Sequence, residues 1–289
     1  MSIAKRSARR PAAAPGPRRR FGQHFLEPAW AKKLVTAIAP VPSDCFVEVG
    51  PGRGALTAAL ASHAAHVVAI EIDRDLAAGL SGRGLGRTTI VVGDVLKTDL
   101  RDLGRRARHD QPHGRLRLAG NLPFNISSPV LFRMLAAQRD GGLFHDATVM
   151  LQREVADRLI AQPGTRGYGP LAIMAAVQAD TARLLSLPPG AFRPMPRVRS
   201  AVVGLTFRPS PVEIPDYALF EALVRRLFQH RRKMLANALA PFSEDVGVGA
   251  AEWLDRANLD GRRRPETLQL AELARLASVL EAVPERAVL

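Results

Sequence analysis

Cysteine is almost missing from this chain: Cys45 is the only one in 289 residues. No intrachain disulfide can form, which fits a reducing cytoplasm. At the start of an apolar run, Cys45 reads as a small core residue rather than a nucleophile. The chain also lacks a Cys/His set with metal-ligand spacing. His109 and His113 are four apart, but Asp110, Pro112 and Gly114 mark that stretch as a loop, so no metal is expected. No apolar run approaches the length that crosses a bilayer. No apolar segment follows the N-terminal charges, as a secretory signal requires. Acid is scarce as well, with 27 Asp and Glu against 41 Lys and Arg, a net charge of +14. Such a balance implies an anionic partner.

The imbalance is sharpest at the N-terminus. Residues 1–20 hold no acid and seven basic side chains, Lys5, Arg6, Arg9, Arg10, Arg18, Arg19 and Arg20, leaving +7 for the rest. This Ala-, Pro- and Arg-rich segment cannot bury a core and is expected to be a disordered arm touching phosphates. Pro11, Pro15 and Pro17 spoil the amphipathic helix of an organelle transit peptide.

What the chain does contain is concentrated in four residues, Asn121, Leu122, Pro123 and Phe124. They follow a short apolar segment, Leu116, Leu118 and Ala119, that reads as a buried strand ending in Gly120. An Asn side-chain oxygen can accept one N–H of an exocyclic amine. A backbone carbonyl at Leu122 or Pro123 can accept the other. The aromatic ring can stack on the base. Taken alone, the four residues are better read as a strand-end turn with a packed Phe.

The upstream sequence separates these readings. Phe46, Val47 and Val49 form a strand-like run. Gly50-Pro51-Gly52-Arg53-Gly54 follows, then the helical spacing of Leu56 and Leu60. Glycines in a strand–turn–helix unit let backbone approach a ligand closely. The G-x-G-x-G pattern, in place of G-x-G-x-x-G, disfavours NAD and favours a nucleoside cofactor without a pyrophosphate. His66 to Ile70 is apolar and closes on Glu71 and Asp73. Glu71 lies roughly 20 residues past the turn, where such folds place an acid on ribose hydroxyls. A third run, Thr89 to Val92, ends in Gly93-Asp94, and Asp94 is placed to accept from an adenine amino group. Three successive strands ending in Gly or a carboxylate predict a pocket along the carboxyl edge of a parallel sheet.

Together these motifs resemble the ribosomal RNA adenine N6,N6-dimethyltransferases, which use S-adenosylmethionine. The resemblance rests on Gly22-Gln23-His24-Phe25-Leu26, the Gly-Pro-Gly turn, Glu71, Asp94 and the run from Gly120 through Asn125, Ile126 and Ser127. It continues through Met150 to Val155, Tyr168 to Leu171, Pro188 to Val198, and Arg231-Arg232-Lys233 with Leu235 and Asn237. It spans about residues 20 to 270 and is nearer the small-subunit housekeeping branch than the antibiotic-resistance branch. It implies an α/β, Rossmann-like class I methyltransferase core with a mixed seven-stranded sheet whose last strand is antiparallel, followed by a small α-helical C-terminal domain. It implies cofactor binding by His24, Leu26, Gly50, Gly52, Glu71, Ile72, Asp94, Val95 and Asn121. Asn121, Leu122, Pro123 and Phe124 are implied to be the catalytic residues. Two positions depart from the pattern. His24 stands where the family usually has Asn, and Phe124 where the housekeeping branch usually has Tyr.

A boundary is expected near Arg208-Pro209-Ser210-Pro211, after a strand-like Ala201 to Phe207. The expected division is an arm at 1–20, a methyltransferase domain at 21–208 and a helical RNA-binding domain at 209–289. In the last, Phe220, Val224, Leu227 and Phe228 give helical spacing within Tyr217 to Ala240. Gly261 with Arg262, Arg263 and Arg264 marks a turn before a final helix from Leu268 to Leu280. Twelve basic and twelve acidic residues make this part neutral from Arg208 onward, with clusters at 225–233 and 262–264. Arg231, Arg232, Lys233, Arg262, Arg263 and Arg264 are expected to contact RNA backbone. The expected activity is dimethylation of N6 on two adjacent adenosines in the 3′-terminal hairpin of small-subunit ribosomal RNA. The expected setting is a pre-ribosomal particle in the cytoplasm, with the protein acting as a monomer away from membranes. Three alternatives share much of this pattern: a resistance-type enzyme of large-subunit RNA, a DNA adenine methyltransferase, and a non-catalytic RNA-binding assembly factor.

Overall fold

Among the described residues, nine strands and eleven α-helices build the fold, and strand β2 lies inside its sheet. In the computed structural model, which describes residues 23–246 and 248–281, all five residues of β2 (Cys45–Val49) are buried. Strands covered on both faces read as apolar runs without alternation, and β3 (His66–Glu71) and β5 (Leu116–Asn121) follow the same rule. With β4 (Thr88–Val92), β6 (Asp146–Gln152), β7 (Ala179–Leu187) and β9 (Ser200–Phe207) they form a seven-stranded sheet of order β4-β3-β2-β5-β6-β9-β7. The first five strands run parallel. The last strand in the chain, β9, is antiparallel to both β6 and β7. The mixed sheet and its antiparallel last strand match the expected class I arrangement.

Side chains of β2 alternate between two apolar layers. Phe46 points into one layer, with Leu34 of α1 (Pro28–Ile38) and Leu60 of α2 (Ala55–Ala61). Val47 and Val49 point into the other, with Leu103 of α4 (Leu100–Ala107), Leu131 of α5 (Ser127–Arg139), Leu159 of α6 (Arg153–Leu159) and Ile173 of α7 (Pro170–Gln178). Helix α3 (Arg74–Ser81) follows β3 and is capped by Asp73, whose carboxylate accepts from the Asp75 and Leu76 amides. β5 carries one charge into the sheet. Arg117 is buried, but Asp44 and Asp146 each hold it at 2.8 Å and the Ile38 carbonyl accepts from it at 2.7 Å. A buried guanidinium is tolerated only when its donors are met in this way.

The second layer continues into α8 (Tyr217–Gln229), α9 (Leu235–Val246), α10 (Ala250–Arg256) and α11 (Leu270–Glu281), so one apolar core serves the sheet and the C-terminal helices. Tyr168 joins the two parts. Its ring meets Phe228 edge-on at 5.7 Å, and its hydroxyl donates to the Leu268 carbonyl at 3.0 Å. The helical spacing read across Tyr217 to Ala240 is interrupted at 230–234. The amides of Leu235 and Ala236 donate instead to the carbonyls of Arg263 and Gly261. Those cross-chain bonds satisfy the first N–H groups of α9 and fix a new helix start. The final helix begins at Leu270, after a single 3-10 turn at Pro265–Thr267. The basic arm at 1–20 lies outside the described residues.

Two short strands escaped the sequence reading. β1 (Phe25–Leu26) pairs antiparallel with β8 (Phe192–Arg193), in the register Phe25 with Arg193 and Leu26 with Phe192. This pairing carries the segment around His24 to the carboxyl edge of the sheet.

Candidate active site

The carboxyl ends of β2, β3, β4 and β5 face one cavity of about 280 Å³. His24, Leu26, Gly50, Gly52, Glu71, Ile72, Asp94, Asn121, Leu122, Pro123 and Phe124 all line it, so the fold gathers nearly every residue expected there. Val95 is the exception. Its side chain is buried in the apolar layer under the sheet, because the residue after Asp94 turns inward toward Leu100 and Leu103.

The glycine turn shapes one wall. Gly50 and Gly52 have φ of 70° and 56°, a left-handed region that glycine alone enters without cost. A Cβ at Gly52 would stand 2.9 Å from the Phe25 ring, so the turn also leaves no room for a side chain. The Glu71 carboxylate closes the turn from the next strand. It accepts from the Gly52 amide and the Asp73 amide, each at 3.0 Å. Burial pushes its pKa up, against the pull of those two amides. Asp94 accepts from the Leu96 amide through Oδ1, leaving Oδ2 for another donor. Ile72 presents an apolar face to the cavity with 43 % of its surface exposed.

These features fit S-adenosylmethionine on the chemistry of the donors alone. A carboxylate with spare lone pairs suits a ribose diol, a second carboxylate suits an adenine amine, and an exposed aliphatic side chain suits the face of a flat ring. Removing the Glu71 carboxylate removes hydrogen bonds worth roughly 1.5–3 kcal/mol each when one partner is charged. Glu71→Ala is therefore expected to weaken cofactor binding by about ten- to a hundredfold, read by calorimetry. Unchanged affinity would place the ribose elsewhere.

Asn121 is the last residue of β5, set beside Met150 of β6. Its Nδ2 donates to the His24 backbone carbonyl at 2.7 Å. A carbonyl only accepts, so this bond fixes which end of the amide points where. The other end, Oδ1, is buried and has no partner among the described residues. The next two carbonyls differ. That of Pro123 already accepts from the Ile126 amide at 3.1 Å, while none of the hydrogen bonds among the described residues ends on that of Leu122. Of the two carbonyls considered from sequence, Leu122 is the one with free capacity. Phe124 is stacked by the His24 ring at 5.2 Å with an interplanar angle of 29°. The His24 Nδ1 lies 2.8 Å from the Pro194 carbonyl and must carry the hydrogen it donates. The histidine that replaces the usual Asn thus braces the aromatic ring and ties it to the segment after β8.

One buried carboxylate of the cavity was missed. Glu48 interrupts the apolar run of β2, is 1 % exposed and lines the cavity floor. Burial raises its pKa to about 8, with the Thr57 hydroxyl working against the rise and the Glu71 carboxylate adding to it. A lone carboxylate inside a buried strand, two residues before a glycine turn, was the available signal.

The expected RNA contacts divide. Arg231 donates to the carbonyls of Arg166 and Tyr168, and Arg263 is held by Glu272 and the Thr267 carbonyl, so both brace the fold. Arg262 pairs with Asp260. Arg232, Lys233 and Arg264 are exposed. A second arginine-rich surface was not foreseen: a groove of about 940 Å³ lined by Arg153, Arg158, Arg166, Arg199 and Arg231, with Glu154 and Asp157 also in its wall and Asp157 paired with Arg153. It starts at the end of β6, three residues beyond Met150, so it opens on the same edge of the sheet as Asn121.

Fold and site together define a class I methyltransferase that uses S-adenosylmethionine. The family model for "Ribosomal RNA adenine dimethylase" matches residues 16–281. "Ribosomal RNA small subunit methyltransferase A" of Aromatoleum aromaticum is 40% identical over 282 residues, covering 93% of this chain and 96% of the relative. The protein of that name from Methylococcus capsulatus is 41% identical over 267 residues, covering 91% and 98%. Among solved structures, a dimethyladenosine transferase from Plasmodium falciparum superposes with a TM-score of 0.70 at 23% identity, over 88% of this chain and 96% of that one. The 23S rRNA methyltransferase ErmE superposes with a TM-score of 0.64 at 23% identity, over 89% and 99%. The chain belongs to the ribosomal RNA adenine dimethylase family and is an rRNA adenine dimethyltransferase.

Proposed function

We propose that this chain dimethylates N6 of two adjacent adenosines in the 3′-terminal hairpin of small-subunit ribosomal RNA. It does so as a monomer, on a pre-ribosomal particle in the cytoplasm. The observation that carries this reading is the unpartnered Oδ1 of Asn121, held in place through its own amide nitrogen. The small-subunit assignment is supported by the names of relatives near 40% identity. No helix among the described residues is long and apolar enough to cross a membrane.

When bound, S-adenosylmethionine supplies a methyl group on an electrophilic sulfonium. Glu71, Asp94 and the Gly50–Gly52 turn hold that cofactor. Asn121 Oδ1 accepts one N–H of the adenine amine, and the Leu122 carbonyl accepts the other. Both acceptors draw the amine out of conjugation with the ring, so its lone pair becomes available. Phe124 stacks the base once it has left its helix. Asn121, Leu122, Pro123 and Phe124 include no titratable side chain, and none is required. N6 becomes acidic after the transfer and releases its proton to water. The arginine groove holds phosphates and sets register, while the pocket selects the base. The chain divides, in this reading, into the arm at 1–20, a methyltransferase domain at 21–208 and an RNA-binding domain at 209–289.

Incubating the purified chain with labelled cofactor and separated ribosomal subunits tests the proposal. Label is expected on paired adenosines near the 3′ end of small-subunit RNA from cells lacking the protein. Label confined to large-subunit RNA would establish the resistance-type activity instead. No label on either would leave a binding factor.

A further inference from the structure

Met195 is the most exposed large apolar side chain among the described residues, with 62 % of its surface in water. Burying a methionine is worth roughly 1.5–3 kcal/mol, so a solitary exposed one contributes nothing to this fold. Its position is specific. The preceding carbonyl, that of Pro194, is held by the His24 ring, and that ring lies on Phe124. Four residues further on, Arg199 lines the arginine groove beside the exposed Val198. Residues 194–199 therefore bridge the base-stacking ring and the phosphate-binding surface. Arg197 and Arg199 follow the apolar tip and are exposed, while Arg193 before it holds the Gly190 and Phe192 carbonyls and faces Glu27.

An adenosine cannot reach Asn121 while it is stacked in RNA. Extruding it costs a few kcal/mol and leaves a gap between its neighbours. Nucleic-acid-binding proteins fill such gaps with apolar side chains, methionine among them, inserted between base steps. We infer that Met195 is the wedge that enters the RNA stack as the target adenosine leaves it, with Arg197 and Arg199 holding the adjacent phosphates. This rests on the reading of the chain as an enzyme of folded ribosomal RNA. Met195 touches neighbouring bases and no reacting atom, so it is a positioning residue. The His24–Pro194 bond keeps the wedge in register with Phe124, so that the base expelled at one point is received at the other.

The test uses the full chain and a small-subunit hairpin in two forms. One has 2-aminopurine in place of the target adenosine; its fluorescence rises when the base unstacks, but it has no N6 amine to methylate. The other keeps the natural adenosine, and methylation is measured on it. A parallel hairpin has abasic sites flanking the target, so the base is already free. Met195→Ala is expected to lower the extruded fraction and the single-turnover methylation rate on the intact hairpin. The expected drop is about ten- to a hundredfold, the scale of one lost methionine contact. On the abasic hairpin it should methylate at the parental rate. RNA affinity, cofactor affinity and melting temperature should match the parent, and Met195→Leu should recover most of the extrusion. Equal fluorescence and rate in parent and Met195→Ala on the intact hairpin would overturn the wedge alone. So would an equal defect on both hairpins, which would mark Met195 as a lip of the pocket. A parent that methylates neither hairpin nor small subunits from cells lacking the protein would overturn the wedge together with the proposed function.

Discussion

Asn121→Ala is expected to slow single-turnover methyl transfer by about 10²- to 10³-fold, the scale seen when one preorganised polar group is removed from a water-excluded site. The side chain has two jobs that the structure separates. Its nitrogen is bound to the His24 carbonyl at 2.7 Å, and its buried oxygen is without a partner. Alanine removes both, so the amine loses one acceptor and the His24 segment loses its tie to β5. Aspartate isolates the two effects. Asn121→Asp keeps an acceptor but sets a carboxylate against the His24 carbonyl, so it should be slow for lack of anchoring rather than lack of an acceptor. RNA affinity should change little in either variant, because most RNA affinity comes from phosphate contacts away from the reacting base. Saturating RNA and cofactor confine the reading to chemistry. Parental rates in Asn121→Ala under those conditions would reduce the motif to a structural turn.

The site was legible in the sequence because its polar residues sit where strands stop. Glu71 and Asn121 each end a buried apolar run, Asp94 follows a half-exposed one, and the glycine turn follows another buried run. Parallel β-α units gather such ends along one edge whatever the helices between them contain. The arginine groove was not legible, since Arg153, Arg158 and Arg166 are interleaved with Glu154 and Asp157 along the chain and Arg199 joins them only in three dimensions. Local clustering pointed to 231–233 and 262–264, of which Arg231 also lines the groove. There Arg231 and Arg263 turned out to hold carbonyls and a carboxylate inside the fold. The pairing of β1 with β8 left no trace either, because two-residue strands have no periodicity to read. That pairing decides what His24 does. Read from sequence, His24 was a cofactor contact. It lines the cavity, and it also stacks on Phe124 and holds the Pro194 segment.

Glu48 makes the stability of the unliganded protein fall with rising pH across the neutral range. Its carboxyl is raised from 4.5 to about 8, chiefly by burial. Below pH 4.5 the proton is bound in folded and unfolded chains alike, and no penalty applies. Between 4.5 and 8 the folded chain keeps a proton that the unfolded chain has released. Stability then declines by about 1.4 kcal/mol per pH unit for this one group, and levels off above 8. Other groups titrate nearby. The Glu71 carboxyl is also raised, which adds a slope of the same sign, while burial lowers the His66 pKa and gives the opposite slope below pH 6.5. Comparing the parent with Glu48→Gln from pH 6.5 to 8 cancels both. The amide keeps the shape and cannot ionise, so the variant should gain about 2 kcal/mol on the parent across that interval. Urea unfolding at each pH measures the difference. The substitution breaks no hydrogen bond at Oε2 of Glu48, which has no partner among the described residues. Parallel stability curves for the two proteins would mean that water or a cation reaches Glu48 and that it ionises at the usual pH. The cavity floor would then carry a charge at neutral pH rather than a neutral acid.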